Sequence, residues 1–137
     1  MTAAATLDLG PSAVLDDSAR MSGPALRTFF SIADRWKLST AERQKLLGLK
    51  SSTYFKYQRA AQSARLSRDT LERISYILGI YKALQILLPR REAADTWIRQ
   101  QNSAPVFNGY SPLHLMLAGK VSDLYLVRRY LDGERGW

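Results

Sequence analysis

The chain has 137 residues, 46% of them hydrophobic and 23% charged, enough for one ordinary soluble domain or two small helical ones that share an interface. It holds no cysteine, which excludes disulfides and thiolate metal sites, and no run of about 18 apolar residues, which argues against a membrane-spanning helix. The formal net charge of +8 is concentrated in residues 21–66, where nine Lys/Arg meet two acids for a net +7; such a block attracts polyanions, although a solvated basic face gives the same composition.

Residues 1–21 are rich in Ala, Ser, Thr and Asp, with Gly10-Pro11 among them. Leu7, Leu9, Val14 and Leu15 are too scattered for an amphipathic helix, so a flexible arm is expected. No basic head followed by an apolar run marks a secretory signal, and a cytoplasmic location is expected. Ser22-Gly23-Pro24 reads as the start of the first helix, with Ser22 as its cap. Leu26, Phe29, Phe30, Ala33 and Trp36 fall at helical spacing on one apolar face, and the helix should end near Lys37 or Leu38.

Ser39-Thr40 predicts the next N-cap, with Glu42 in the first turn and Leu46 and Leu47 facing inward. Gly48 breaks that helix, and Leu49 reads as a buried turn residue. Ser51 or Ser52 then caps a third helix that reaches about Gln62. A short helix, a turn with Gly and a second short helix form the helix-turn-helix pattern, so residues 22–65 read as a DNA-binding domain. The second helix of such a unit enters the major groove N-terminal end first. It would present Lys50, Ser51, Ser52, Thr53, Lys56 and Arg59 to DNA: hydroxyls for base edges or phosphates, cations for phosphates. Arg43 and Lys45 are candidate backbone contacts from the preceding helix, while Tyr54 and Tyr57 pack inward.

Residues 66–137 form the second part. Ser67 caps a long helix through Leu71, Ile74, Ile77, Leu78, Tyr81, Leu84, Ile86, Leu87 and Leu88, closed by Pro89. Its apolar face is too wide for a surface helix, so it should be central and packed on more than one side. Arg91–Gln101 reads as a further helix with Ala94, Trp97 and Ile98 inward. Asn108-Gly109 is a turn dipeptide, because both residues tolerate positive φ. Ser111 and Pro112 then open a short helix ended by Gly119. Ser122 is the expected cap of the last helix, Asp123–Leu131, with Leu124, Val127 and Leu131 inside and Arg128 and Arg129 outside. The architecture expected is all-α: a small helix-turn-helix domain joined by a long central helix to a C-terminal helical domain.

Nothing in the chain composes an active site. His114 is the single histidine, and no neighbouring acid or nucleophile would make it a general base. The acids lack paired metal-ligand spacing, and no phosphate-cradling glycine loop occurs. A binding protein without catalysis, metal or cofactor is expected.

Two segments together resemble the Xre/MbcA/ParS group of antitoxins. LLGLKSSTYFKY (Leu46–Tyr57) resembles that group's helix-turn-helix. LSRDTLERISYILGIYKALQILL (Leu66–Leu88), then Trp97-Ile98, FNGYSPLHLMLAG (Phe107–Gly119) and the closing helix with Leu131-Asp132-Gly133, resemble its C-terminal toxin-binding domain. The resemblance implies an antitoxin of a type II toxin-antitoxin system. It would bind its own operator as a homodimer and neutralise a toxin with a RES domain, an ADP-ribosyltransferase-like consumer of NAD, by covering the NAD site. Toxin contacts would then come from Arg128, Arg129, Tyr130, Glu134, Arg135 and Trp137. A stand-alone transcriptional regulator and a protein adaptor without DNA binding are the alternatives from the residues alone.

Overall fold

The structure, a computed structural model, describes residues 11–136, with side chains from residue 20 onward. All regular structure among them is helical. The expected arm therefore lies partly outside the described residues. Where it is described it is helical: α1 runs from Pro11 to Arg35, through Val14, Leu15 and Ser22-Gly23-Pro24. Ser22 is not a cap but a buried hydroxyl that accepts the Leu66 N–H at 2.9 Å. Tertiary contact overrides the local start signal here, and Pro24 is carried inside a helix it would otherwise interrupt. The C-terminal end falls where expected: Lys37 turns the chain with φ of 54°.

α2 (Thr40–Leu47) begins with a capping box, in which Glu42 N–H donates to Ser39 Oγ at 3.1 Å and Ser39 N–H to Glu42 Oε1 at 2.8 Å. Arg99 adds a third partner, donating to Glu42 Oε1 at 3.2 Å. Burial works to raise the Glu42 carboxyl, but the Ser39 N–H and the Arg99 guanidinium outweigh it and hold the pKa below the ordinary glutamate value. Gly48 ends α2 at φ of 68°, and Leu49 is half-buried rather than buried. α3 (Ser51–Arg59) is capped at Lys50 by backbone alone. The cap expected at Ser51 or Ser52 therefore falls earlier, both serines lie in the first turn, and the helix stops at Arg59, followed by a 3₁₀ turn at Ala61–Ser63.

α4 (Arg68–Leu87) is the long central helix, capped by Ser67 Oγ and about 30 Å long. It packs against α1, α2 and α7, most extensively against α7 (Val121–Glu134). Ile77, Ile80, Ala83 and Leu84 are fully buried. Ile86, expected inside, is 60% exposed, because two packed faces still leave one stripe of the helix outside. The expected helix over Arg91–Gln101 is split into α5 (Arg91–Thr96) and a 3₁₀ turn at Trp97–Arg99. α6 (Pro112–Met116) has the predicted Ser111 cap, with Pro112 at its first turn. α7 is capped at Lys120 without a side-chain bond, so Ser122 does not cap, and it continues past Leu131 through Gly133 to Glu134.

One apolar cluster runs from Leu26 to Leu131 and includes residues of both expected halves. Two arginines lock its outside. Arg73 is buried, donating to Asp69 at 2.8 Å and to the Gly119 carbonyl at 2.9 Å. Its side chain also occupies the space beside Gly48, where a Cβ would clash with it. Arg99 donates to the carbonyls of Trp36 and Lys37 at the end of α1.

Candidate functional site

The first candidate surface is α3. Its buried side is Tyr54, with Tyr57 half-buried and donating its hydroxyl to the Arg65 carbonyl at 3.2 Å. Thr70 Oγ donates to the Leu47 carbonyl at 2.9 Å, so the turn before α3 is held to the central helix. This fixes the direction in which α3 faces outward. Lys50, Ser51, Ser52, Lys56 and Arg59 are exposed on it, and Thr53 is half-buried. None of these cations forms an ion pair among the described residues.

The second candidate surface is the outer side of α7. Leu124, Val127 and Leu131 are buried against α4, as their spacing predicts. Tyr125 and Leu126 are left about 40% exposed. Tyr125 meets Tyr76 of α4 edge-on at 5.8 Å and accepts a hydrogen bond from Arg129 Nη1 at 3.0 Å. Together with Arg128, Asp132 and Gly133 these residues line a groove of about 570 Å³ between α4 and α7. An open groove with aromatic walls and guanidinium groups suits an acidic or planar group of a partner.

Residues 17–79 match the family described as Antitoxin Xre-like helix-turn-helix domain, and residues 83–136 the Antitoxin Xre/MbcA/ParS C-terminal toxin-binding domain. A curated relative from Sinorhizobium fredii (strain NBRC 101917 / NGR234), "Uncharacterized protein y4oB", is 50% identical over 121 residues, 88% of this chain and 90% of that protein. The chain belongs to the Xre/MbcA/ParS antitoxin family. No solved structure matches it.

The antitoxin's two family regions meet inside α4, between residues 79 and 83, so the central helix serves both. Among the residues expected at DNA, Lys45 is exposed on α2. Arg43 is spent on the fold: it donates to the Leu38 carbonyl at 2.9 Å and to Asp34 at 2.8 Å.

The residues expected at the toxin are spread over different environments. Arg129 and Glu134 are exposed. Arg128 is partly outside, with 32% of its side chain exposed. It lies over Gly79 of α4, where a Cβ would fall on its guanidinium, and it pairs with Asp132 at 3.1 Å. Tyr130 stacks on Trp97 at 6.2 Å and meets Phe107 edge-on at 5.1 Å. Burial and the Glu134 carboxylate raise its phenol above the ordinary value. The Arg135 side chain is 13% exposed, near Asp132. Trp137 lies outside the described residues. Tyr76, Tyr125 and Leu126 were not readable as a surface, because their exposure depends on how α4 and α7 cross.

His114 stacks on Tyr110 at 4.3 Å and is exposed. No group of three or more His, Cys, Asp or Glu among the described residues could hold a metal ion, and no helix among them is long and apolar enough to cross a membrane.

Proposed function

We propose that this antitoxin neutralises a RES-domain toxin by covering its NAD site and represses its own operon by binding the operator as a homodimer, without catalysis or cofactor of its own. What carries the reading is the presence of two separate free surfaces on one core. The α3 face offers unpaired cations and hydroxyls suited to a phosphate backbone and base edges. The α7 face offers Tyr125, Leu126 and Arg129 beside a groove, the aromatic and arginine composition of interface anchors. A basic side chain held at the toxin mouth would occupy the place of a cationic or phosphate-contacting group. A homodimer fits an operator with two-fold symmetry.

Co-expression tests the neutralisation. A RES-domain toxin from the neighbouring gene should arrest growth alone and not with the antitoxin, and the purified pair should show no NAD consumption. Growth arrest in the presence of the antitoxin would refute the pairing. Deleting residues 134–137 should restore NAD consumption if the tail forms part of the cover; full inhibition by the truncated chain would confine the cover to α7. Repression is tested by gel shift on the upstream region of the operon. The shift should weaken steeply with salt, as expected when several phosphates are neutralised, and should vanish when Lys50, Lys56 and Arg59 become Ala while toxin inhibition persists.

A further inference from the structure

α3 carries a feature that phosphate binding does not explain. With about 100° between successive residues, the exposed residues Ser51, Ser52, Phe55, Lys56, Gln58 and Arg59 form one outward arc. Phe55 and Arg59 lie at its centre. The Phe55 ring is 40% exposed, and its ring contact is with Tyr54, its own neighbour in the chain, edge-on at 5.4 Å. An apolar ring is therefore left two-fifths exposed on the outer arc of α3, among hydroxyls and cations.

Such a ring gains free energy when an apolar partner covers it. Two kinds are available: another protein surface or the apolar group of a base. A second copy meeting this face by a two-fold axis would bring Lys50, Lys56 and Arg59 against their own equivalents. α3 has no acid in Ser51–Arg59 to offset that repulsion. A polyanion has the opposite effect, drawing the same cations inward. In the major groove of DNA the one apolar group on a base edge is the 5-methyl of thymine, and phenylalanine is among the side chains that contact it. We propose that Phe55 is a specificity-determining residue that reads thymine methyl groups in the operator. The neighbouring Ser51 and Ser52 then supply polar contacts and Lys56 and Arg59 the phosphate contacts that hold the ring in register. The proposal rests on the DNA-binding reading and adds to it the base chemistry that is recognised.

The experiment uses the full chain and operator duplexes in which thymine is replaced by deoxyuridine, position by position and throughout. This removes the methyl and leaves every hydrogen-bonding atom in place. Wild-type binding should fall about three- to fivefold for each contacted position, which corresponds to about 0.8 kcal/mol for one methyl group. Phe55→Ala should weaken binding about tenfold on the thymine duplex and be indifferent to deoxyuridine, while Phe55→Leu should keep part of the sensitivity. Equal binding of wild type to thymine and deoxyuridine duplexes overturns the proposal without touching the DNA reading, and this arm needs no variant to fold. A deoxyuridine effect as large in Phe55→Ala as in wild type also overturns it, as does a Phe55-dependent dimer seen by sedimentation. No gel shift by wild type at low salt refutes the DNA reading and this proposal with it.

Discussion

Arg128 lies across Gly79, and the space that a side chain at Gly79 would need is filled by the Arg128 guanidinium. A glycine in the interior of a helix sacrifices about 1 kcal/mol relative to alanine. Here it makes the notch through which an α7 cation rests on α4. Gly79→Ala should therefore not unfold the chain, since the far end of a flexible side chain can swing away and the helix gains propensity. It should turn Arg128 out of place and break its pairing with Asp132. Toxin affinity measured by calorimetry should drop about as much as in Arg128→Ala, and the double variant should be no worse than either single one. Additive losses would mean that the two residues act separately.

Arg73 joins the turn before α3 to the corner before α7. It sits against Gly48 and donates to the Gly119 carbonyl. Arg73→Met should cost about 2 kcal/mol in urea unfolding, the value of charge-assisted hydrogen bonds lost from a buried site. Hydrogen exchange should accelerate both at Gly48–Leu49 and around Gly119. Arg73→Lys should not restore stability, because a point charge cannot replace the guanidinium fork. Wild-type exchange at either turn would remove Arg73 as the link.

The Glu42 carboxylate gives the fold an acid-sensitive joint. Its pKa is lower folded than unfolded, so its contribution is present above the ordinary glutamate pKa of about 4.3 and is lost as pH falls through the folded value. Wild type and Glu42→Gln should differ in unfolding free energy near neutral pH, and the gap should close over the acid range, as pH falls from the ordinary glutamate value of about 4.3 through the lower folded value. A gap that stays constant over that range would show that the carboxylate charge is irrelevant. Ser39→Ala removes the other half of the capping box and should cost about 1 kcal/mol.

The residues of α7 divide into two classes. Tyr130 is wedged against Trp97 and Phe107, and Tyr130→Ala should destabilise by about 2 kcal/mol. Tyr125→Ala and Arg129→Ala touch exposed groups and should change stability by less than about 0.5 kcal/mol. They should nonetheless weaken toxin binding by about 2 kcal/mol if they anchor that interface. Thermal melts and toxin titrations on the same three variants separate the two classes. Unchanged toxin binding in both exposed variants would move the interface off this face.

Local chemistry made much of the fold legible. Ser39, Ser67 and Ser111 cap where their sequence says, and Asn108 and Gly109 take the positive φ that only such residues adopt readily, at 51° and 84°. These are devices that act within three or four residues. Arg73, Arg99 and Arg128 were not legible as structural residues, because each also meets a backbone position far away in the chain. Arg73 bonds a carbonyl 46 residues away and Arg99 one 63 residues away, and a backbone carbonyl leaves no mark in a sequence. The one available hint was Gly79, a glycine unaccounted for in the middle of a helix. At the candidate sites, charge and helical phase picked out the α3 face. The aromatic part of the α7 surface appears once α4 and α7 are laid side by side, since Tyr76 and Tyr125 are far apart in the chain.

The apolar cluster from Leu26 to Leu131 has a consequence for how the protein can be dismantled. Ile77, Ile80 and Leu84 of α4 belong to the one cluster that both halves share, and α4 packs on both α1 and α7, so a cut within α4 should leave each fragment with an uncovered hydrophobic side. Neither fragment should then fold alone. Because one cluster underlies both surfaces, a mutation that lowers stability in either half should weaken α3 and α7 together.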